Sequence, residues 1–153
     1  MFTEGPPNFS MLTENVAGSG LPSTRRHIKF LRRQGITAII SLTEQPLPPQ
    51  LLENENIKYF HYPLADHQAA DPAKVLEIVK HLQELVSSGE KVLVHCLAGL
   101  GRTGMVLTAY TMLEKNLDWR TALETVRRIR PGSVEKNQEK CLREFERLAK
   151  PGS

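Results

Sequence analysis

The stretch from Val92 to Gly104, VLVHCLAGLGRTG, constrains the fold more than any other part of this 153-residue chain. Its first residues are apolar and mostly β-branched, which is typical of a strand buried on both faces. Residues 105–117 then repeat apolar side chains at helical spacing. We therefore predict a buried strand over 91–95 that leads through a glycine-rich loop into a long helix.

The loop between these two elements has the chemistry of an anion site. A helix start presents unpaired amide donors and the positive end of the helix dipole, and both favour phosphate. We expect Gly99, Gly101 and Gly104 to bend the backbone so that successive amides point inward. Arg102 offers a planar fork that matches two phosphate oxygens. The same positive field would stabilise Cys96 as a thiolate, the nucleophilic form of its side chain.

The rest of the chain alternates strands with helices. Further strands are predicted over 9–17, 36–42 and 57–62, and a turn over 18–22. Helices with their caps are predicted from Ser23 or Thr24 to 34, over 50–56, 71–88 and 118–130, and from Val134 or Glu135 to 149. This alternation predicts an α/β domain whose ligand lies beyond the carboxyl ends of the strands. The length predicts one domain, 1–153, with an irregular arm over 1–7 and a tail over 151–153.

The composition is that of an ordinary globular protein, with 40% hydrophobic and 24% charged residues. A net charge of +3 favours anionic ligands, and no basic arm indicates nucleic acid. No apolar run reaches the roughly 18 residues of a membrane span and no secretory leader is evident, so we expect a cytoplasmic protein without membrane contact. Cys96 would need a reducing compartment. We expect Cys141 to be a small core residue, with a redox partner for Cys96 as the alternative.

The segment 95–104, which reads HC, then five residues, then RTG, resembles the signature of the cysteine-dependent protein tyrosine phosphatases. Residues 6–10 (PPNFS) and 130–134 (RPGSV), with Gln138 after them, resemble the small atypical dual-specificity branch. The resemblance implies an α/β fold with a central mixed, mostly parallel four- to five-stranded sheet and helices on both faces. It implies a phosphatase that acts on phosphotyrosine and on phosphoserine or phosphothreonine in proteins or peptides, without a cofactor.

The resemblance also assigns roles within the loop. Cys96 would attack phosphorus, and Arg102 would bind the phosphate oxygens together with the loop amides. The predicted phosphate loop comprises Cys96, Leu97, Ala98, Gly99, Leu100, Gly101 and Arg102. Members that act on inositol lipids place lysines in this loop, whereas the variable positions 97, 98 and 100 are uncharged here. Phosphoinositide substrates are therefore disfavoured.

A leaving alkoxide or phenoxide must be protonated, so the mechanism needs a general acid. Asp66 follows a predicted strand and therefore lies at the sheet edge from which the Cys96 loop starts. It precedes Cys96 by 30 residues, a separation similar to that of the acid in the family. Asp71 is the competitor, but its position before Pro72 explains it as a helix cap. We expect His67 to be exposed to solvent.

Other polar residues have both a functional and a structural interpretation. Thr103 could hydrogen-bond the sulfur of the nucleophile, cap the helix, or do both. His95 could orient the loop through its ring nitrogens or simply pack in the core. Gln138 resembles the family glutamine that positions the hydrolytic water, and the alternative is a solvated helix position. Arg130 and Ser133 would brace the phosphate loop from behind.

Two other functions use a similar loop. Sulfur transferases of the rhodanese kind carry a cysteine in an anion loop, but they need no acid such as Asp66. A non-catalytic phosphoprotein-binding module would have lost its nucleophile or its arginine, and Cys96 and Arg102 are both present. No histidine and carboxylate cluster has the spacing of metal ligands, so we expect no metal-dependent mechanism. We further expect a monomer.

Overall fold

The computed structural model describes residues 4–150, so residues 1–3 of the predicted arm and the predicted tail over 151–153 lie outside the described part. Residues 4–9 form neither helix nor strand. The strands are β1 (Ser10–Met11), β2 (Val16–Ser19), β3 (Ala38–Ser41), β4 (Lys58–His61) and β5 (Val92–His95). The helices are α1 (Arg25–Arg33), α2 (Pro49–Leu52), α3 (Pro72–Ser87), α4 (Gly101–Lys115), α5 (Trp119–Ile129), a 3-10 turn (Lys136–Gln138) and α6 (Glu139–Ala149).

One mixed sheet organises the fold, with its five described strands in the order β1-β2-β5-β3-β4. β2, β5, β3 and β4 run parallel, and only β1 is antiparallel to its neighbour. His95, the last residue of β5, lies in register with Ser19 of β2 and Ser41 of β3. Three parallel strands therefore end side by side where the cysteine loop begins. The predicted α/β fold and mostly parallel sheet are confirmed.

Helices cover the sheet on both faces. Side chains along a strand alternate in direction, so a central strand contributes apolar side chains to a core on each face. Val92 and Val94 of β5 belong to the larger core, which also contains buried residues of α3, α4, α5 and α6. Leu93 lies in the smaller core with Ile28 and Leu31 of α1. β5 is thus buried on both faces and holds the start of the loop rigidly.

Three helices begin at the predicted polar caps. Thr24, Asp71 and Asp118 each accept a backbone N–H of the first turn, with N···O distances of 3.1, 3.0 and 3.3 Å. Each cap satisfies a donor that the helix itself leaves unpaired. The assignment of Asp71 as a cap is therefore confirmed.

The structure differs from the sequence-based prediction at the N-terminal strand. The predicted strand over 9–17 is two strands, β1 and β2, because the Thr13 hydroxyl accepts the amides of Asn15 and Val16 and so closes a turn. The predicted turn over 18–22 is wrong in its first half, since Gly18 and Ser19 pair with β5. β2 consequently delivers its last residue to the site.

None of the helices in residues 4–150 is both long enough and apolar enough to cross a membrane.

Candidate active site

Cys96 follows β5 directly and begins the loop that leads into α4. It is only 2% exposed, whereas Leu97 and Ala98 after it are exposed. Its Sγ accepts the backbone N–H of Gly99 at 3.2 Å. The loop therefore turns back over the sulfur and directs an amide toward it, an arrangement that stabilises negative charge on sulfur.

Gly99 makes this loop possible through both its conformation and its size. Its φ is +85°, in the left-handed region that favours glycine. A Cβ at this position would lie 2.4 Å from the amide nitrogen of Gly20. The expectation that three glycines bend the loop is wrong for the other two, because Gly101 and Gly104 lie in the first turn of α4. Gly101 instead gives room to Gln138, whose amide would be 2.9 Å from an added Cβ.

Arg102 lies in the first turn of α4 and is 2% exposed. Its Nη1 donates to Oε1 of Glu44 at 2.8 Å and to the Leu64 carbonyl at 3.1 Å. Its Nη2 lies 3.4 Å from Oδ2 of Asp66. Its Nε is buried without a hydrogen-bond partner among the described residues. A buried, unsatisfied donor on a charged fork is the feature expected of a group that receives an anion.

Asp66 lies in the loop between β4 and α3, as predicted. Its side chain is 33% exposed, and Oδ1 accepts the backbone N–H of His67 at 2.9 Å. The structure therefore brings Asp66, and not the capping Asp71, into contact with Arg102. His67 is exposed as expected, and its Nδ1 lies 2.7 Å from Oε1 of Glu135. This bond, together with the charge of Asp66, raises the pKa of His67.

His95 supports the loop from the sheet side and is fully buried. Its Nδ1 lies 3.1 Å from the Cys96 carbonyl, and its Nε2 forms a short hydrogen bond with the Ser41 hydroxyl. Because a carbonyl can only accept, Nδ1 carries the proton and Nε2 accepts from Ser41. Burial, with the nearby charge of Arg102, lowers the pKa of His95 to about 4. His95 is thus a neutral ring fixed at both nitrogens.

Thr103 and Gln138 are both buried within the described structure. The N-cap interpretation of Thr103 is wrong, because Leu100 occupies the cap position of α4. The Thr103 hydroxyl has no hydrogen-bond partner within residues 4–150, so a bond to the sulfur is not formed here. The solvated alternative for Gln138 is also wrong. Its Oε1 accepts the Glu135 amide at 2.8 Å, and its amide group packs against Gly101.

Arg130 joins the phosphate loop to the N-terminal segment. Its Nη1 donates to the Asn8 carbonyl at 2.9 Å, the Ser10 hydroxyl at 2.7 Å and the Gly18 carbonyl at 3.0 Å. Its Nη2 donates to the Gly99 carbonyl. The Arg130 guanidinium therefore supports the phosphate loop from behind, as predicted.

Ser133 contributes to the same support. Its hydroxyl donates to the Arg130 carbonyl at 2.7 Å, and its Cβ would lie 3.1 Å from a Cβ added at Gly104. The segment after α5 thus packs directly on the first turn of α4.

Burial lowers the pKa of Arg130, and the Coulombic attraction of Cys96 opposes that shift.

Glu44 is the site residue that sequence reasoning missed. It follows β3 by three residues and so lies at the same sheet edge as the loops after β4 and β5. A hydrogen bond from its own backbone amide, and then one from Arg102, lower the pKa of Glu44. The sequence signal was available, because an acidic residue soon after a parallel strand reaches this edge. No group of three or more His, Cys, Asp or Glu side chains in the described residues could hold a metal ion.

Residues 21–148 match the family described as the catalytic domain of dual specificity phosphatases. The chain belongs to this family. The match contains the whole cysteine loop, Asp66 and Gln138, and it confirms the resemblance identified from the sequence. The solved structure of Tk-PTP in its active form is 35% identical, covers 92% of this chain and 97% of its own, and superposes with a TM-score of 0.83.

Curated relatives of this dual specificity phosphatase domain agree with the assignment. Human dual specificity protein phosphatase 15 is 37% identical over 108 residues, which are 66% of this chain and 33% of that protein. The bovine protein tyrosine phosphatase domain-containing protein 1 is 29% identical over 93% of this chain and 20% of its own length. The chain spans between 20% and 54% of the length of such relatives.

Proposed function

We propose that this domain hydrolyses phosphate monoesters of tyrosine, serine and threonine in proteins through a cysteinyl-phosphate intermediate. One observation carries the proposal. Arg102, whose buried Nε has no hydrogen-bond partner within residues 4–150, lies in the first turn of α4 directly after the loop that curls over the Cys96 sulfur, and it also contacts Asp66. This arrangement supports the roles of nucleophile, anion receptor and proton donor for three residues at one sheet edge. The family and its relatives support protein phosphatase activity.

In the first step the Cys96 thiolate attacks phosphorus and forms the S–P bond, while the bond from phosphorus to the leaving oxygen breaks. The proton of the Asp66 carboxyl moves to that oxygen. Phosphate binding would engage the Arg102 fork, which now lies 3.4 Å from Asp66.

In the second step a water molecule attacks phosphorus, its proton moves to the Asp66 carboxylate, and the S–P bond breaks to release Cys96 as a thiolate. The loop amides and Arg102 stabilise the equatorial oxygens in both transition states. Gln138 lies against Gly101 and can orient this water. The Thr103 hydroxyl, which has no hydrogen-bond partner within residues 4–150, would hydrogen-bond the departing sulfur.

The exposure of the loop supports this substrate range. Leu97 is 55% exposed and Ala98 is exposed. An open rim lets the shorter side chains of phosphoserine and phosphothreonine reach Cys96. Phenoxide leaves more easily than alkoxide, so phosphotyrosine should still be hydrolysed well.

The test is hydrolysis of para-nitrophenyl phosphate as a function of pH, with a chelator present. Cys96→Ser should abolish turnover, and Asp66→Asn should remove the basic limb of the pH profile. Two controls match these changes. Cys141→Ser alters a buried core thiol and Asp71→Asn alters a helix cap, so both should keep turnover and the wild-type profile.

Full activity in Cys96→Ser would contradict the cysteinyl mechanism. Mass spectrometry of Cys96 during turnover then separates the alternatives. A phosphate supports the phosphatase, a persulfide supports a sulfur transferase, and an unmodified thiol without turnover supports a binding module.

A further inference from the structure

An apolar groove opens beside the candidate active site. Its volume is about 660 Å³, and Asp66 and Arg102 are among its lining residues, so it is continuous with the phosphate site. Its apolar walls come from the segment before α1, the loop into α2, α2 itself and the phosphate loop. The walls include Leu21, Pro46, Leu47, Pro48, Leu51 and Leu97.

Hydrogen bonds between the walls, and from residues behind them, hold the walls in place. The Leu21 amide donates to the Leu97 carbonyl at 2.9 Å, which fixes the segment before α1 against the phosphate loop. The Leu47 amide donates to the Tyr59 hydroxyl at 2.8 Å. Arg25 of α1 donates to the backbone of α2 at 2.8 Å. The groove is therefore formed before any ligand arrives, which reduces the entropic cost of binding.

The charges in the groove are confined to the phosphate site. Glu44, Asp66 and Arg102 are its charged lining residues, and Arg102 contacts both carboxylates. The other polar residues of the lining are uncharged: Ser23, Thr43, Gln45 and Gln50. An acidic or basic side chain in the apolar part would therefore lose water without gaining an ionic partner.

We propose that this groove is a substrate subsite that receives a leucine-sized aliphatic side chain close to the phosphorylated residue of a phosphopeptide. The inference rests on the proposed function. An extended peptide advances by about 3.3 Å per residue, so a neighbour one or two positions away can reach beyond the phosphate site. The volume lies within the roughly 300–1,000 Å³ of ligand pockets. The uncharged polar residues can form hydrogen bonds with a peptide backbone. An alkyl chain has no groups to form such bonds, so the lining favours a peptide.

The test compares phosphotyrosine peptides that differ only in Leu or Asn at each of the two positions on either side of phosphotyrosine. We expect kcat/KM to be about tenfold higher for Leu at one of these positions, in line with the discrimination of apolar pockets. Leu51→Gln should remove this preference. Leu52→Gln is the matched control, because Leu52 lies on the same helix but lines a separate cavity. Leu21→Gln repeats the test on another wall.

Hydrolysis of para-nitrophenyl phosphate reports the chemistry without the subsite, so it should be equal in all four proteins. The proposal is overturned if no flanking position prefers Leu, or if Leu52→Gln loses the preference as well. The groove could instead hold a lipid chain. In that case the wild type would prefer long over short alkyl phosphates, Leu51→Gln would remove that preference, and no peptide position would prefer Leu; this result would overturn the proposal. Failure of the wild type on para-nitrophenyl phosphate would instead overturn the proposed function, and the subsite with it.

Discussion

The buried ring of His95 should make the free energy of unfolding depend on pH. The ring is fully buried between the Cys96 carbonyl and the Ser41 hydroxyl. Burial lowers its pKa from 6.5 to about 4 in the folded protein. In the unfolded chain the ring is solvated and keeps its ordinary pKa. Between these two values the unfolded state binds a proton that the folded state does not, so stability must fall as the pH falls.

The size of the effect follows from the two pKa values. Proton binding to His95 alone should lower the free energy of unfolding by about 2 kcal/mol between pH 7 and pH 5. Below pH 4 the loss levels off near 3 kcal/mol, because the folded state then binds the proton too. Nearly the whole ring is inaccessible to water, so solvent screening does not reduce this figure substantially.

The assay is urea unfolding at pH 7 and at pH 5 for the wild type and for His95→Asn. Asparagine keeps a donor for the Cys96 carbonyl but has no group that titrates in this range. Other titrating groups are shared by both proteins, so they cancel in the comparison. We expect the wild type to lose about 2 kcal/mol more than the variant. Equal losses would refute the placement of a neutral histidine behind the loop.

Two further substitutions test the support of the phosphate loop. Gly99→Ala should abolish para-nitrophenyl phosphate hydrolysis, because its Cβ would lie 2.4 Å from a backbone nitrogen. Gly89→Ala, at a φ of +90° with nothing within 4 Å of its Cβ, should cost only about 1 kcal/mol of stability and keep activity; equal effects would contradict the crowding argument. Arg130→Gln removes the guanidinium that holds the Gly99 carbonyl and should slow para-nitrophenyl phosphate hydrolysis, whereas the exposed Arg128→Gln should not. Unchanged turnover in Arg130→Gln would contradict this supporting role. Cys141 should stay unreactive toward iodoacetamide in the folded protein because burial raises its pKa to about 12; its alkylation there would contradict its place in the core.

The sequence was sufficient for the features that depend on local pattern. The alternation of strands and helices predicted the sheet, and the caps Thr24, Asp71 and Asp118 were found where polar residues precede apolar periodicity. The cysteine loop was located because a buried strand, glycines and an arginine occur together. These signals lie within a few residues of one another, so they can be identified without the tertiary fold.

Features that depend on distant contacts were missed or misassigned. Glu44 reaches Arg102 across 58 residues of sequence; its position after β3 places it at the sheet edge but does not identify that partner. Gly104 was predicted to bend the loop, but the structure requires glycine there for a different reason. A Cβ at this position would lie 2.9 Å from the Val134 amide nitrogen. Arg130 had an expected place behind the loop, but its four bonds to three segments require the folded chain. Tertiary packing determines each of these roles.

The central claim is that phosphate passes through Cys96. The most direct measurement is acid quenching of the wild type during turnover of para-nitrophenyl phosphate, followed by digestion and mass spectrometry. The account predicts one phosphate on the peptide that contains Cys96 and none on the peptide that contains Cys141. Phosphate on a different residue, or continued turnover with Cys96 unmodified, would contradict it.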